Sequence, residues 1–278
     1  MKKVLALVLA ALMVFALVAC GTSNSNETTT AANGESSAPA SESESTASGD
    51  KKTLVMATNA TFPPYEYKDG DNFAGIDVEV AQKIAEKLGM ELEIQDVEFG
   101  SIIAGVQTGK YDIGMAGITV TEERKESVNF SDTYATAKQV VIVKEDGSIK
   151  SLDDLKGDGS MKFGVQQDTT GDIFASDTVE KGGYGAENVT RYKSGADAVQ
   201  ALKTGKVDAV IIDNEPAKNF VESNEGLKIL DGTWVEESYA IAIGKDNTEL
   251  LEKVNAALKE LTADGTIQAI VDKYIPAK

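Results

Sequence analysis

Strand-like and helix-like segments alternate along residues 51–278, and this alternation limits the possible folds more than any other feature of the chain. Six short runs rich in apolar and β-branched residues are predicted to be strands: 54–58, 92–97, 113–116, 163–165, 189–192 and 209–212. Amphipathic segments with helical spacing separate many of them. Such alternation is typical of α/β layers with largely parallel sheets.

The helical segments carry their own start and stop signals. In "DVEVAQKIAEKLGM" (77–90) the apolar residues recur at helical spacing, and Gly89 provides a C-terminal stop. The last segment, "TELLEKVNAALKELTADGTIQAIVDKYI" (248–275), predicts two helices broken at Asp264 and Gly265.

A faint internal repeat suggests two lobes of similar topology. The stretch "VQTGKYDIGMAG" (106–117) matches "LKTGKVDAVIID" (202–213) in register, sharing Thr-Gly-Lys-x-Asp before an apolar strand. A helix that ends in Thr-Gly-Lys before a strand is common, so coincidence explains the match equally well.

The first 52 residues do not fit this pattern. Residues 1–20 combine a basic start, an apolar run too short for a comfortable membrane span, and small residues before Cys20, the only cysteine. This resembles a bacterial lipoprotein signal, although an ordinary signal peptide with an incidental cysteine is the alternative. Residues 21–52 are rich in Ser, Thr, Ala and Glu, which predicts a disordered tether.

Charge and histidine content exclude several functions. The net charge of −18 would repel nucleic acid and anionic lipid headgroups, so neither is expected as a partner. The chain has no histidine, which excludes Ser-His-Asp and Cys-His catalysis and histidine-ligated zinc. We expect no catalytic residue, no metal and no cofactor.

Polar residues follow the predicted strands, at the ends where open α/β sheets bind ligands. The candidate ligand-binding residues are Asn59, Phe62, Phe99, Ala116, Gly117, Thr119, Arg124, Gln166, Thr169, Thr170 and Asp213.

Two members of this set suggest the chemistry of the ligand. Arg124 falls in the first turn of a helix capped by Thr121, where acids are the usual choice, and Asp213 directly follows an apolar strand. A cation and an anion facing across a cleft would suit a zwitterion, with Phe62 and Phe99 as apolar walls.

Each of these residues also has a purely structural explanation. Arg124 could be a solvated surface residue, and Asp213 could cap the following helix. The two phenylalanines could belong to the core, and Thr119 could be a capping residue. The occurrence of polar residues at all five strand ends favours the binding hypothesis.

The chain resembles the extracellular solute-binding proteins that deliver polar amino acids to ABC importers. The resemblance runs through residues 53–275 and is carried by "ATNATFPPYEY" (57–67), "FAGIDVEVAQKIA" (73–85), "FGSIIAGVQTGKYDIGMAGITVTEERKESVNFSDTY" (99–134), "GVQQDTTGDIF" (164–174) and "GKVDAVIID" (205–213). It implies a two-lobed periplasmic-binding-protein fold of type II with its ligand cleft between the lobes.

The resemblance also implies roles for individual residues. Arg124 would clamp the α-carboxylate, assisted by Thr119 and by the backbone of Ala116 and Gly117. Asp213 would take the α-ammonium. The second lobe would contribute Thr169 and Thr170 to the carboxylate, and Phe62 and Phe99 would flank the ligand side chain.

Two positions depart from the family pattern. Asn59 stands where an acid is frequent, and with Gln166 across the cleft it slightly favours glutamine, with arginine or another polar amino acid as alternatives. Asp168 stands where relatives commonly have glycine.

The expected domains are a signal peptide (1–20), a tether (21–52), lobe 1 (53–133 plus 240–278), lobe 2 (139–234) and hinge segments (134–138 and 235–239). The expected protein is a monomer, lipid-anchored through Cys20 on the extracytoplasmic face of the cell membrane, that passes its amino acid to ABC permease subunits. A prephenate or arogenate dehydratase built on the same fold is the enzymatic alternative.

Overall fold

The computed structural model describes residues 52–156 and 159–276. These residues contain fourteen strands and eight α-helices, joined by loops and short 3-10 helices. The signal-peptide prediction, with Cys20, lies outside these residues, and so does the tether prediction except for Lys52. No helix within the described ranges is long and apolar enough to cross a membrane.

The elements alternate much as the sequence predicts. The strands are β1 (Thr53–Thr58), β2 (Thr61–Phe62), β3 (Glu66–Asp69), β4 (Asn72–Ala74), β5 (Glu91–Asp96), β6 (Ile113–Gly114), β7 (Val128–Phe130), β8 (Ala135–Lys144), β9 (Phe163–Gln166), β10 (Val189–Tyr192), β11 (Ala209–Asp213), β12 (Leu227–Ile229), β13 (Val235–Tyr239) and β14 (Ala242–Gly244). The α-helices are α1 (Ile76–Leu88), α2 (Ile102–Gln107), α3 (Glu122–Ser127), α4 (Thr170–Ser176), α5 (Gly195–Lys203), α6 (Asn214–Glu222), α7 (Thr248–Ala263) and α8 (Thr266–Tyr274).

Two open sheets form the two lobes. The first lobe is built on the order β5-β1-β6-β14-β7, and the second on β10-β9-β11-β8-β12, with β13 also paired to β8. The two-lobed α/β fold is therefore confirmed. The expectation of largely parallel sheets holds only in part. Strands β5, β1 and β6 are parallel, and so are β10, β9 and β11, but β14, β7, β8, β12 and β13 pair antiparallel.

Two long strands carry the chain between the lobes. After β7 of the first sheet the chain enters β8 of the second, and β13 returns it to β14 of the first. Strands β8 and β13 pair with each other from Ala135↔Tyr239 to Gln139↔Val235. Residues that follow the carboxyl ends of β1, β6, β9 and β11 therefore lie close to this connection.

Local signals set the boundaries of the helices. Helix α1 buries its apolar stripe in the core of the first lobe and ends at Gly89, which adopts φ 67°. Helices α7 and α8 are separated at Asp264 and Gly265 as predicted, with Gly265 at φ 81°. A small antiparallel sheet of β2, β3 and β4 follows β1 and brings Phe62 and Glu66 towards the cleft.

Candidate functional site

A narrow cavity between the lobes has a volume of about 20 Å³. It is lined by all eleven residues expected from the sequence and by one more, Glu66. The twelve are Asn59, Phe62, Glu66, Phe99, Ala116, Gly117, Thr119, Arg124, Gln166, Thr169, Thr170 and Asp213. The fold thus brings together every candidate from the two halves of the chain.

Arg124 is buried at the start of a short helix. The Thr121 hydroxyl accepts a hydrogen bond from the Arg124 amide and caps α3, as predicted. The guanidinium is 5.4 Å from the ring centre of Phe99, and Nη1 donates to the main-chain oxygen of Thr119 at 2.8 Å. Burial lowers the pKa of Arg124, while the charges of Glu237 and Asp213 oppose the shift. An arginine that is only 8 % exposed is not the solvated surface residue of the alternative explanation.

Asp213 lies at the N-terminus of α6 but does not cap it through its side chain. Its carboxylate instead accepts hydrogen bonds from the Tyr239 hydroxyl at 2.5 Å and from Gln139 Nε2 at 2.9 Å. Burial and the charge of Glu237 raise the pKa of Asp213 to about 8. The side chain is therefore oriented by the connecting strands and not by its own helix.

The Gly117 loop is held by an acid that the sequence analysis did not single out. Asp77, at the start of α1, accepts from the Gly117 amide at 2.9 Å and from the Tyr134 hydroxyl at 2.8 Å. Gly117 has φ 54°, and a Cβ there would lie 3.1 Å from the Phe62 ring. Because Asp77 uses the Gly117 amide, the backbone donor expected from this residue is already engaged.

Thr119 is oriented by a strand that connects the lobes. Its hydroxyl donates to Glu237 Oε2 at 3.0 Å, and its backbone forms an isolated bridge with Tyr239. A hydroxyl that donates its hydrogen in this way faces any further partner as an acceptor.

The second lobe closes the cavity with polar side chains. Gln166 Nε2 donates to Asn59 Oδ1 across the cleft at 2.8 Å. Thr169 caps α4, accepting from the Asp172 amide and donating to the Gln166 carbonyl, so its hydroxyl is engaged in the helix start. Thr170 is buried beside it.

Glu66 was missed by the sequence analysis. It lies on β3 opposite Phe62, is 1 % exposed, and its Oε2 has no hydrogen-bond partner among the described residues. Burial, followed by the charge of Asp77, raises its pKa well above the ordinary value. Alternation along β3 gives no signal for it, because Lys68, the residue on the same face as Glu66, is exposed.

The arrangement presents one guanidinium from the first lobe and one carboxylate from the second, with Glu66 as an additional acid. This chemistry matches a small zwitterion with a carboxylate at one end and a cation at the other. No group of three or more acidic, Cys or His side chains in the described ranges is placed to hold a metal ion.

Comparisons with known proteins agree with this site. The chain is 38% identical to the arginine-binding extracellular protein ArtP of Bacillus subtilis over 277 residues, covering 99% of this chain and 98% of the relative. The ABC transporter glutamine-binding protein GlnH of the same organism is 31% identical over 281 residues, covering 99% and 98%.

A solved structure of an ancestral arginine-binding protein bound to glutamine matches with a TM-score of 0.73 and 42% identity. The match covers 82% of this chain and 99% of the solved one. These relatives are binding proteins and not enzymes, so the expectation of a binding protein instead of a dehydratase is confirmed. The family of bacterial extracellular solute-binding proteins, family 3, matches residues 54–277, and the chain belongs to this family.

Proposed function

We propose that this protein captures an amino acid outside the cytoplasm and delivers it to the permease subunits of an ABC importer. The observation that carries the proposal is the cavity with Arg124 on one lobe and Asp213 on the other. Two of the five N–H groups of the guanidinium bond to protein oxygens in the described ranges, which leaves three for a ligand carboxylate. Asp213 then pairs with the ligand ammonium.

The remaining residues of the cavity complete this binding mode. Thr119, which the family resemblance assigns to the ligand carboxylate, supports Asp213 instead as an acceptor for the ammonium, because its hydroxyl hydrogen is given to Glu237. The backbone of Ala116 and Gly117 and the start of α4 at Thr169 and Thr170 border the polar end of the ligand. Phe62 and Phe99 form the walls along its side chain.

Charge favours arginine as the ligand. The cavity lining contains one cationic side chain, Arg124, and two acidic ones, Glu66 and Asp213. An amino acid with a cationic side chain pairs with both acids and favours the ionised form of Glu66, whereas a neutral one leaves Glu66 protonated and without an ionic partner. The naming of ArtP as arginine-binding supports the same choice.

Glutamine is the second candidate, and a separate observation favours it. Asn59 and Gln166 present two amide side chains to the cavity, and they already form an amide–amide hydrogen bond across it. A ligand amide could exchange partners with either one. The ancestral relative solved with glutamine shows that a structural neighbour of this chain accommodates that ligand.

Closure of the lobes accompanies binding in this proposal. The hinge comprises residues 134–138 and 235–239, between lobe 1 (53–133 plus 240–278) and lobe 2 (139–234). A zwitterion favours the closed arrangement because only there are both of its ends paired. We also propose that the protein is a monomer anchored through a lipid on Cys20, with residues 21–52 as the tether.

Calorimetry with arginine, glutamine and cystine tests the proposal, after a thermal-shift screen of the common amino acids. A ligand at a hundredfold excess over its dissociation constant stabilises the fold by about 2.7 kcal/mol. We expect Glu66→Gln to weaken arginine binding at least about tenfold and glutamine binding by less, since a buried charge pair is lost only with arginine. Glu91→Gln, at an exposed position on β5, is the matched control. Equal losses for both ligands would contradict the choice of arginine, and no binding of any amino acid would contradict the function.

A further inference from the structure

A buried cluster behind the ligand cavity joins Asp213 to Glu237 on β13. One nitrogen, Gln139 Nε2, donates to Asp213 Oδ2 at 2.9 Å and to Glu237 Oε2 at 3.0 Å. The two carboxylates therefore lie within about 6 Å of each other. Glu237 is 7 % exposed, as is Asp213, so water screens this pair of like charges poorly.

The cluster has more acceptors than donors. Glu237 Oε1 and Gln139 Oε1 are buried without a hydrogen-bond partner in the described ranges. The donors are the Gln139 amide, the Tyr239 hydroxyl and the Thr119 hydroxyl. Two ionised carboxylates in such a site are costly, because neither forms a salt bridge in the described ranges and Glu237 Oε1 has no hydrogen bond.

The groups that surround the pair do not remove this excess negative charge. Arg124 is the cation whose field reaches both carboxylates. The acidic groups around the cluster are Tyr239, Tyr65, Glu66, Asp77 and Glu215. Two lysines, Lys125 and Lys138, line the surface pocket that Glu237 also borders. The chain has no histidine, so any proton exchange near neutral pH at this site has to come from carboxyl groups.

We propose that Glu237 is a positioning residue for the ligand ammonium, and that it keeps on Asp213 a proton that the ammonium displaces. This inference rests on the proposed function. The ligand arrives with its ammonium charged, the proton of Asp213 leaves to the solvent, and Asp213 is ionised in the complex. The negative charge of Glu237 raises the pKa of Asp213, and so favours the protonated form in the protein without ligand. Glu237 also holds Thr119 and Gln139 in place through hydrogen bonds.

The raised pKa of Asp213 supports this exchange and gives its direction. Burial and the charge of Glu237 raise the pKa of Asp213 to about 8. Below that pH the protein without ligand holds the proton, while the complex does not. Binding therefore releases up to about one proton per ligand, and affinity rises by up to about tenfold per pH unit between about pH 6 and pH 7.5.

Calorimetry of L-arginine binding in phosphate and in Tris buffer measures the proton release, because the two buffers differ in ionisation enthalpy. We expect wild type to release most of one proton at about pH 6.5 and Glu237→Gln to release clearly less, with a flatter affinity profile. Glu236→Gln is the matched control, since Glu236 is an exposed neighbour on β13 that lies near Lys138, and its release should equal that of wild type.

A second variant separates this pair from the other buried acids of the site. Glu66 and Asp77 also have raised pKa values, so the release is measured again in Glu66→Gln, where the contribution of Asp213 should persist. The inference would be overturned, with the proposed function intact, if the binding enthalpy of wild type for L-arginine were the same in both buffers and its affinity were the same at every pH. An affinity loss in Glu237→Gln that is identical at every pH would also overturn it. Absence of binding to any amino acid would instead remove the proposed function itself.

Discussion

Arg124 Nη2 in the first lobe donates a hydrogen bond to the main-chain oxygen of Asp168 in the second lobe, at 3.1 Å. The guanidinium proposed to hold the ligand carboxylate is thus also a direct contact between the lobes. Asp168 presents this oxygen from a left-handed backbone conformation, with φ 64°. Glycine adopts this conformation without steric cost, whereas a residue with a Cβ does not.

Removal of the Arg124 side chain should abolish amino-acid binding. Arg124→Ala leaves the ligand carboxylate buried without a partner, and we expect a loss of about 2–5 kcal/mol in binding free energy. Calorimetry with arginine and glutamine measures the loss, and Lys125→Ala on the exposed side of α3 is the control. An affinity within twofold of wild type would rule out the carboxylate-binding role.

Asp168→Gly should give a more stable fold than Asp168→Ala. The left-handed conformation costs a residue with a Cβ about 1 kcal/mol relative to glycine. We expect Asp168→Gly to be more stable than Asp168→Ala by about this amount in urea unfolding. Asp146→Gly, in an exposed turn without a positive φ, should instead be neutral or destabilising. Equal stability of the two Asp168 variants would contradict the strain argument.

Gly117 should tolerate alanine less well than another glycine with a similar backbone. Gly117 and Gly70 have φ 54° and 61°, but a Cβ on Gly117 would lie 3.1 Å from Phe62 and 3.3 Å from Tyr239, whereas Gly70 has no atom within 4 Å. Gly70→Ala therefore reports the backbone cost alone, about 1 kcal/mol. Gly117→Ala adds displacement of two rings beside the ligand cavity, typically about 1–3 kcal/mol more. Urea unfolding measures both variants, and calorimetry should detect weaker ligand binding only for Gly117→Ala.

The parts of the site that could be predicted are those set by residues near in sequence. Thr121 and Arg124 are three positions apart, and their capping geometry follows from helix rules. The strand ends could be predicted too, because an apolar run followed by polar residues indicates where a buried strand meets the cleft.

The missed residues depend on contacts between distant segments. Asp77 and Glu66 look in sequence like ordinary helix and strand acids, and their burial follows only from the packing of α1 and β3 around the Gly117 loop. Glu237 reaches Thr119 across 118 residues, and Gln139 reaches Asp213 across 74. No local pattern marks these pairs, because the pairing of β8 with β11 and the bridge between Thr119 and Tyr239 bring them together.

The pH dependence of stability should be opposite to that of a protein stabilised by ordinary ion pairs. Burial raises the pKa of Asp77 to about 6 and that of Asp213 to about 8, above the values of about 3.9 in an unfolded chain. Both groups therefore bind protons more tightly when folded, and the folded state is relatively favoured while they remain protonated. This advantage falls as the pH rises from about 4 through the folded pKa values, so without ligand the free energy of unfolding should be lower at about pH 8 than at about pH 5, by up to a few kcal/mol.

Urea unfolding across this range tests the slope. We expect Asp213→Asn to flatten it between about pH 6 and pH 8, because the titrating group is removed. A saturating amino acid should also reduce the slope at the higher pH, since its ammonium stabilises the ionised carboxylate. Asp146→Asn, at an exposed turn, is the matched control and should keep the wild-type slope. A free energy of unfolding that increases steadily from about pH 5 to pH 8 would show that these acids are not protonated in the folded protein.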